Sequence, residues 1–101
     1  IHLNGSDNPE AEGTETFSAP GSEEGLLLAG CIQRNLVDAL GFPDRGLKEA
    51  NFYVLRNTNM TAVLTEVGFI TNPDEEDEMS FKIDIAGKAI AEGIIEYLGG
   101  Q

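Results

Sequence analysis

The sequence predicts an α/β domain, a mostly parallel twisted sheet flanked by helices in the three-layer α/β/α manner. Three observations lead there. Leu28, Ile32, Leu36 and Leu40 recur every four residues, the repeat of one helix face. Residues 61–70 form a long apolar, β-branched run that suits a central strand buried on both faces, as in a mostly parallel sheet. The elements follow one another as β-β-α-β-β-α, an order that packs helices on a sheet.

The chain opens on Ile1-His2-Leu3, apolar and strand-like, with no turn or cap before it. We read residues 1–101 as the C-terminal part of a single domain, entered in mid-strand and incomplete at its N-terminus. Asn4-Gly5 signals a turn, and residues 6–13 are an acidic, polar loop. Residues 13–17 have the β-branched and aromatic content of a second strand. A helix follows over residues 23–40, with Ser22 as its N-cap and Glu23 and Glu24 in the first turn, where they favour the helix dipole. Gly41 ends it, with Pro43 two residues on.

Residues 42–50 read as a loop or short turn, 52–55 as a strand, and 61–70 as the strongest strand of the chain. Asn72 can cap a helix, Pro73 fits its first position, and Glu75 falls where a capping box needs it. A short acidic helix or turn to Met79 is expected there. Ser80 then caps a last helix, in which Ile83, Ala86, Ala89 or Ile90, Ile94 and Tyr97 recur at helical spacing until Gly99-Gly100.

Composition narrows the function classes. At 101 residues the chain is one small domain or part of one, and 41% hydrophobic with 24% charged residues is globular. The longest uninterrupted apolar run, residues 26–29, is far short of the ~18 that a membrane span needs. A lone cysteine, Cys31, rules out a disulfide framework. Eighteen acidic against six basic residues, a net charge of −12, argue against nucleic acid and against direct steering onto an anionic wall polymer.

Few residues can carry chemistry. His2 is the only histidine, at a strand end beside a turn, where α/β folds keep their sites. By itself it is either a ligand or a hydrogen-bonded structural residue. Glu66 stands among apolar neighbours, where a carboxylate is costly unless paired, protonated or metal-bound. It either faces water from an edge strand or is kept at a site, partly desolvated and suited to proton transfer. Gly68 allows a close approach or marks a bulge. The acidic run 74–78 lacks the alternating ligands and central glycine of a calcium loop and reads as a solvated helical turn.

Six segments in order resemble one family. They are Ile1-His2-Leu3-Asn4, residues 13–17, Asp44-Arg45-Gly46-Leu47-Lys48, residues 52–56, residues 61–72 and residues 89–94. Together they resemble the C-terminal portion of the zinc-dependent N-acetylmuramoyl-L-alanine amidases, the peptidoglycan amidases of autolysins and phage endolysins. The resemblance implies a six-stranded sheet flanked by helices and one zinc ion held by two histidines and a glutamate, with water in the fourth position. His2 matches the second histidine ligand and Glu66 the catalytic glutamate. The other two ligands lie upstream of the matched segments, so this chain alone is expected to be inactive. The resemblance also implies peptidoglycan as substrate, an extracellular or cell-wall location, and a separate wall-binding module. Asn4 and Glu15 are expected to order the site, and Arg45 either binds a stem-peptide carboxylate or is structural. An alternative keeps the amidase fold as a non-catalytic module that binds wall fragments or a protein. A small acidic interaction module is a third reading, and it leaves His2 and Glu66 unexplained.

Overall fold

The computed structural model describes residues 1–100. Its elements are β1 (His2–Asn4), β2 (Thr14–Ser18), α1 (Glu23–Leu40), β3 (Asp44–Glu49), α2 (Tyr53–Arg56), β4 (Val63–Phe69) and α3 (Pro73–Gly99). The four strands lie in the order β1-β4-β2-β3. β1 pairs parallel with β4 and β2 parallel with β3, while the central β2–β4 pair is antiparallel. The sheet is therefore mixed and open, with two of its three pairings parallel, and β4 is interior.

α1 forms as its sequence dictates. The Ser22 hydroxyl accepts from the Gly25 N–H at 3.0 Å, and Gly41 closes the helix at φ 75°, a left-handed conformation that costs glycine little. Its apolar stripe packs on α3 and on one face of the sheet. Ile32, Leu36 and Leu40 meet Val67, Met79, Ala86, Ala89 and Ile90 in one core, closed by Phe42. Gln33 ties α1 to β2, accepting from Thr16 at 2.9 Å and donating to the Thr14 carbonyl at 2.7 Å. The same sheet face thus carries Thr16, and the alternate residues Glu15 and Phe17 are turned to the other face.

The long helices approach closely at Gly93. A Cβ there would lie 2.7 Å from Ile32 Cα and 2.9 Å from Ile32 N, against backbone that cannot swing aside. Helix propensity alone favours Gly93→Ala by about 1 kcal/mol. Overpacking costs about 1–3 kcal/mol. Because the obstacle is backbone, the substitution is expected to destabilise, a sign that urea unfolding reads directly.

Three local expectations need correction. Residues 42–50 are not merely a loop: 44–49 form β3, an edge strand whose exposed, charged side chains give no alternating apolar signal. Residues 52–55 do not make a strand. Leu55 N and Arg56 N both donate to the Phe52 carbonyl, at 3.0 and 3.1 Å, and a single helical turn results. That turn buries Leu55 and sets the Phe52 ring edge-on to Phe17 at 5.1 Å. Finally, α3 runs unbroken through Ser80, whose hydroxyl donates to the Asp77 carbonyl instead of capping a new helix.

Candidate functional site

The site is built on the sheet face that α1 and α3 leave uncovered. In the parallel β1–β4 register His2 sits beside Glu66, and in the antiparallel β2–β4 register Glu15 sits directly opposite Glu66. Two bulges shape this end of the sheet. His2 pairs with Glu66 and Asn4 with Phe69, so β4 carries one extra residue across 67–68. Thr14 pairs with Asp44 and Glu15 with Gly46, so Arg45 is the extra residue of β3. A bulged residue is left out of the ladder and its side chain is re-aimed, here toward Glu15. Gly68 accordingly marks a bulge, and a Cβ there would press on Phe42 at 3.1 Å and on a Glu75 oxygen at 3.3 Å, a core-side constraint.

Two carboxylates directly opposite each other repel, and both are buried, each 5% exposed. Each has its own compensation. The His2 Nδ1 lies 2.5 Å from Glu66 Oε1. Glu15 Oε2 accepts from the Asn4 side chain at 2.6 Å, while its Oε1 faces Arg45 at 3.6 Å and Lys48 at 3.3 Å. The Arg45 guanidinium also stacks 4.9 Å from the centre of the Phe69 ring. One group of the cluster stays uncompensated: Glu66 Oε2 is buried and has no hydrogen-bond partner among the described residues. An orphaned oxygen on a buried carboxylate is rare and costly. With β4 interior, the water-facing edge reading of Glu66 does not hold.

The structure therefore gathers His2, Asn4, Glu15, Arg45 and Glu66 into one cluster, although 64 residues of sequence separate the first from the last. Residues 1–96 match the sequence model of the N-acetylmuramoyl-L-alanine amidases. The chain belongs to this amidase family. It is 40% identical over 107 residues to an uncharacterized cell wall amidase of Bacillus anthracis, covering 96% of this chain and 20% of that one. Against the N-acetylmuramoyl-L-alanine amidase LytC of Bacillus subtilis it is 36% identical, again over 96% of this chain and 20% of the relative. The crystal structure of an N-acetylmuramoyl-L-alanine amidase from Clostridium difficile 630 superposes with a TM-score of 0.91 at 35% identity, covering 98% of this chain and 55% of that one. The chain thus spans about a fifth to a half of the length of the curated relatives it matches.

The amidase resemblance implied a metal ligand at His2 and a proton-transfer group at Glu66, and both lie at this cluster. Among the described residues no group of three or more His, Cys, Asp or Glu side chains is arranged to hold a metal ion, and β1–β4 are the only strands. Sequence reasoning missed two participants. Lys48 falls within residues 42–50, which read as a loop or short turn; as a strand residue it pairs with Phe17 and so shares a face with Glu15. Glu75 was placed in a capping box, but only half of that box forms. Asn72 accepts from Asp74 N and Glu75 N, whereas the Glu75 carboxylate accepts from Gly13 N at 2.8 Å and Phe69 N at 2.9 Å. It clamps the start of β2 and the end of β4, the two strands that carry Glu15 and Glu66. An apolar groove of about 500 Å³ runs along β1 and α3, but its walls of Leu3, Ile70, Met79 and Ile83 offer little to orient an amide.

Proposed function

We propose that this chain carries the proton-transfer half of a peptidoglycan amidase site, which when complete cuts the amide between N-acetylmuramic acid and L-alanine, at the cell wall or outside the cell. The observation that carries the reading is Glu66, a buried carboxylate with one oxygen against His2 and the other unpartnered. The donors on this chain suit zinc: an imidazole with its side chain 65% exposed stands next to a desolvated carboxylate. His2 would be one of three protein ligands to one zinc ion, joined by two from outside the described residues. When bound, zinc supplies a water acidic enough to react near neutral pH and a Lewis acid for the scissile carbonyl.

The chain's own residues handle the proton and the geometry. The free oxygen of Glu66 accepts a proton from the attacking water. It then delivers that proton to the alanine nitrogen as the C–N bond breaks, leaving a lactyl carboxylate and a free amine. Asn4 and Glu15 hold the neighbouring strands in register through their 2.6 Å hydrogen bond, so that the Glu66 carboxylate is presented without searching for its orientation. Arg45 neutralises Glu15 and is held there as a structural cation. A separate module would serve attachment to an anionic wall, given the charge of −12.

The test is zinc per polypeptide by elemental analysis, on this chain and on one extended upstream, with dye release from labelled peptidoglycan measured alongside. Near one zinc and zinc-dependent release in the extended protein, with little of either here, is the expected result. Absence of both from the extended protein points instead to a non-catalytic module.

A further inference from the structure

The amidase reading leaves one residue of the cluster unused. We infer that Lys48 is a specificity-determining residue, the recognition point for a free carboxylate on the stem peptide; the inference rests on the function proposed above. Its ammonium and the Arg45 guanidinium both approach the same oxygen of Glu15, at 3.3 and 3.6 Å. One cation neutralises one carboxylate. Two cations therefore share one carboxylate oxygen, in a chain with only six Lys and Arg residues against eighteen acids.

The two cations are not equally free. Arg45 is held on three sides, by its stacking on Phe69, by donation to the Glu12 carbonyl at 3.3 Å, and by a flank packed where Gly13 has no Cβ. Among the described residues the polar partners of Lys48 are Glu15 and the Arg45 carbonyl, and its side chain is 42% exposed. An ammonium has three N–H donors, so one remains for a ligand, on a flexible stem that can follow it. The placement suits the reaction. Lys48 pairs with Phe17, two residues along β2 from the Glu15–Glu66 row, on the same face of the sheet. A peptide whose first amide lies at Glu66 and whose next acidic residue lies toward β3 would bring its carboxylate to this ammonium.

The experiment uses the full-length polypeptide that carries this chain, with Glu66→Gln to prevent turnover. Calorimetry compares an N-acetylmuramoyl dipeptide bearing free carboxylates with the same compound as its carboxamides. The parent is expected to bind the free acid about tenfold more tightly, as one charge-assisted hydrogen bond provides. Lys48→Gln should abolish that preference and Lys48→Arg should retain it. No preference in the parent, equal weakening of both ligands in Lys48→Gln, or no binding of either ligand overturns the inference. Peptidoglycan release by the protein with Glu66 intact separates the two readings. Release without a carboxylate preference removes the role of Lys48 alone, and a Lys48-dependent preference without release removes the amidase reading alone.

Discussion

Replacing Glu66 by glutamine is expected to lower peptidoglycan hydrolysis by roughly 10²- to 10⁴-fold, the range that a positioned general base supplies. Glutamine keeps the volume and one acceptor, so the packing of β4 and the contact with His2 should survive. What it loses is the ability to take and return a proton at the unpartnered oxygen. The measurement is turnover in the full-length protein, with zinc content determined on the same sample. Loss of turnover with zinc retained is the expected pattern. Loss of both together would make Glu66 a ligand, and retained turnover would place the base elsewhere.

The second large effect is structural. Glu75 is 3% exposed, and its two oxygens accept from the N–H groups of Gly13 and Phe69. Glu75→Ala leaves both donors without partners. At about 1–3 kcal/mol for each orphaned buried donor, the loss should reach roughly 2–6 kcal/mol. Activity should fall with it, since the clamp joins the strands that bear Glu15 and Glu66. Chemical denaturation of the variant checks the magnitude, and a loss below about 1 kcal/mol would show that the clamp is dispensable.

Glu75 also gives a pH signature. Burial pushes its carboxyl above the ordinary glutamate value, the two backbone donors pull it back, and the nearby Glu12 and Glu78 push it up again, with burial the larger influence. The folded state then holds this proton more tightly than the unfolded chain. Its contribution to stability is fully present below the unfolded-state value and is lost as pH rises through the raised one. Glu75→Gln cannot titrate, so the stability of the parent relative to that variant should increase as pH is lowered from 7 toward 4.5. A difference that shrinks over that window would mean that the hydrogen bonds to the ionised form dominate.

The sequence carried the long elements because their signals are periodic. The four-residue repeat and Ser22 cap delimit α1, and the apolar run of β4 marks an interior strand, buried from Thr65 to Phe69. It carried His2, Asn4, Glu15, Arg45 and Glu66 through motif resemblance, and Glu66 also through the cost of a carboxylate among apolar neighbours. Where tertiary contacts decide, local signals misled. β3 is a strand because its backbone pairs with β2 while its side chains face water, so neither alternation nor β-branching marks it. Phe52 and Tyr53 favour a strand by type, yet the segment turns once so that the Phe52 ring meets Phe17. Glu75 obeys the capping-box spacing but finds two donors 62 and 6 residues away, at Gly13 and Phe69. With β3 unrecognised, Lys48 had no face to share with Glu15.

If Glu66 and its neighbours serve cleavage of one particular amide, the bond that breaks identifies them. Product analysis tests it most directly. Purified peptidoglycan is digested with the full-length zinc-loaded protein, and the soluble products are read by mass spectrometry, amine labelling and reducing-sugar assay. The expected products are stem peptides with a new free α-amine on L-alanine and glycan strands that keep their lactyl carboxylates, with no new reducing ends. New reducing ends, amines generated deeper in the peptide, or undigested wall from the zinc-loaded protein would contradict the amidase reading.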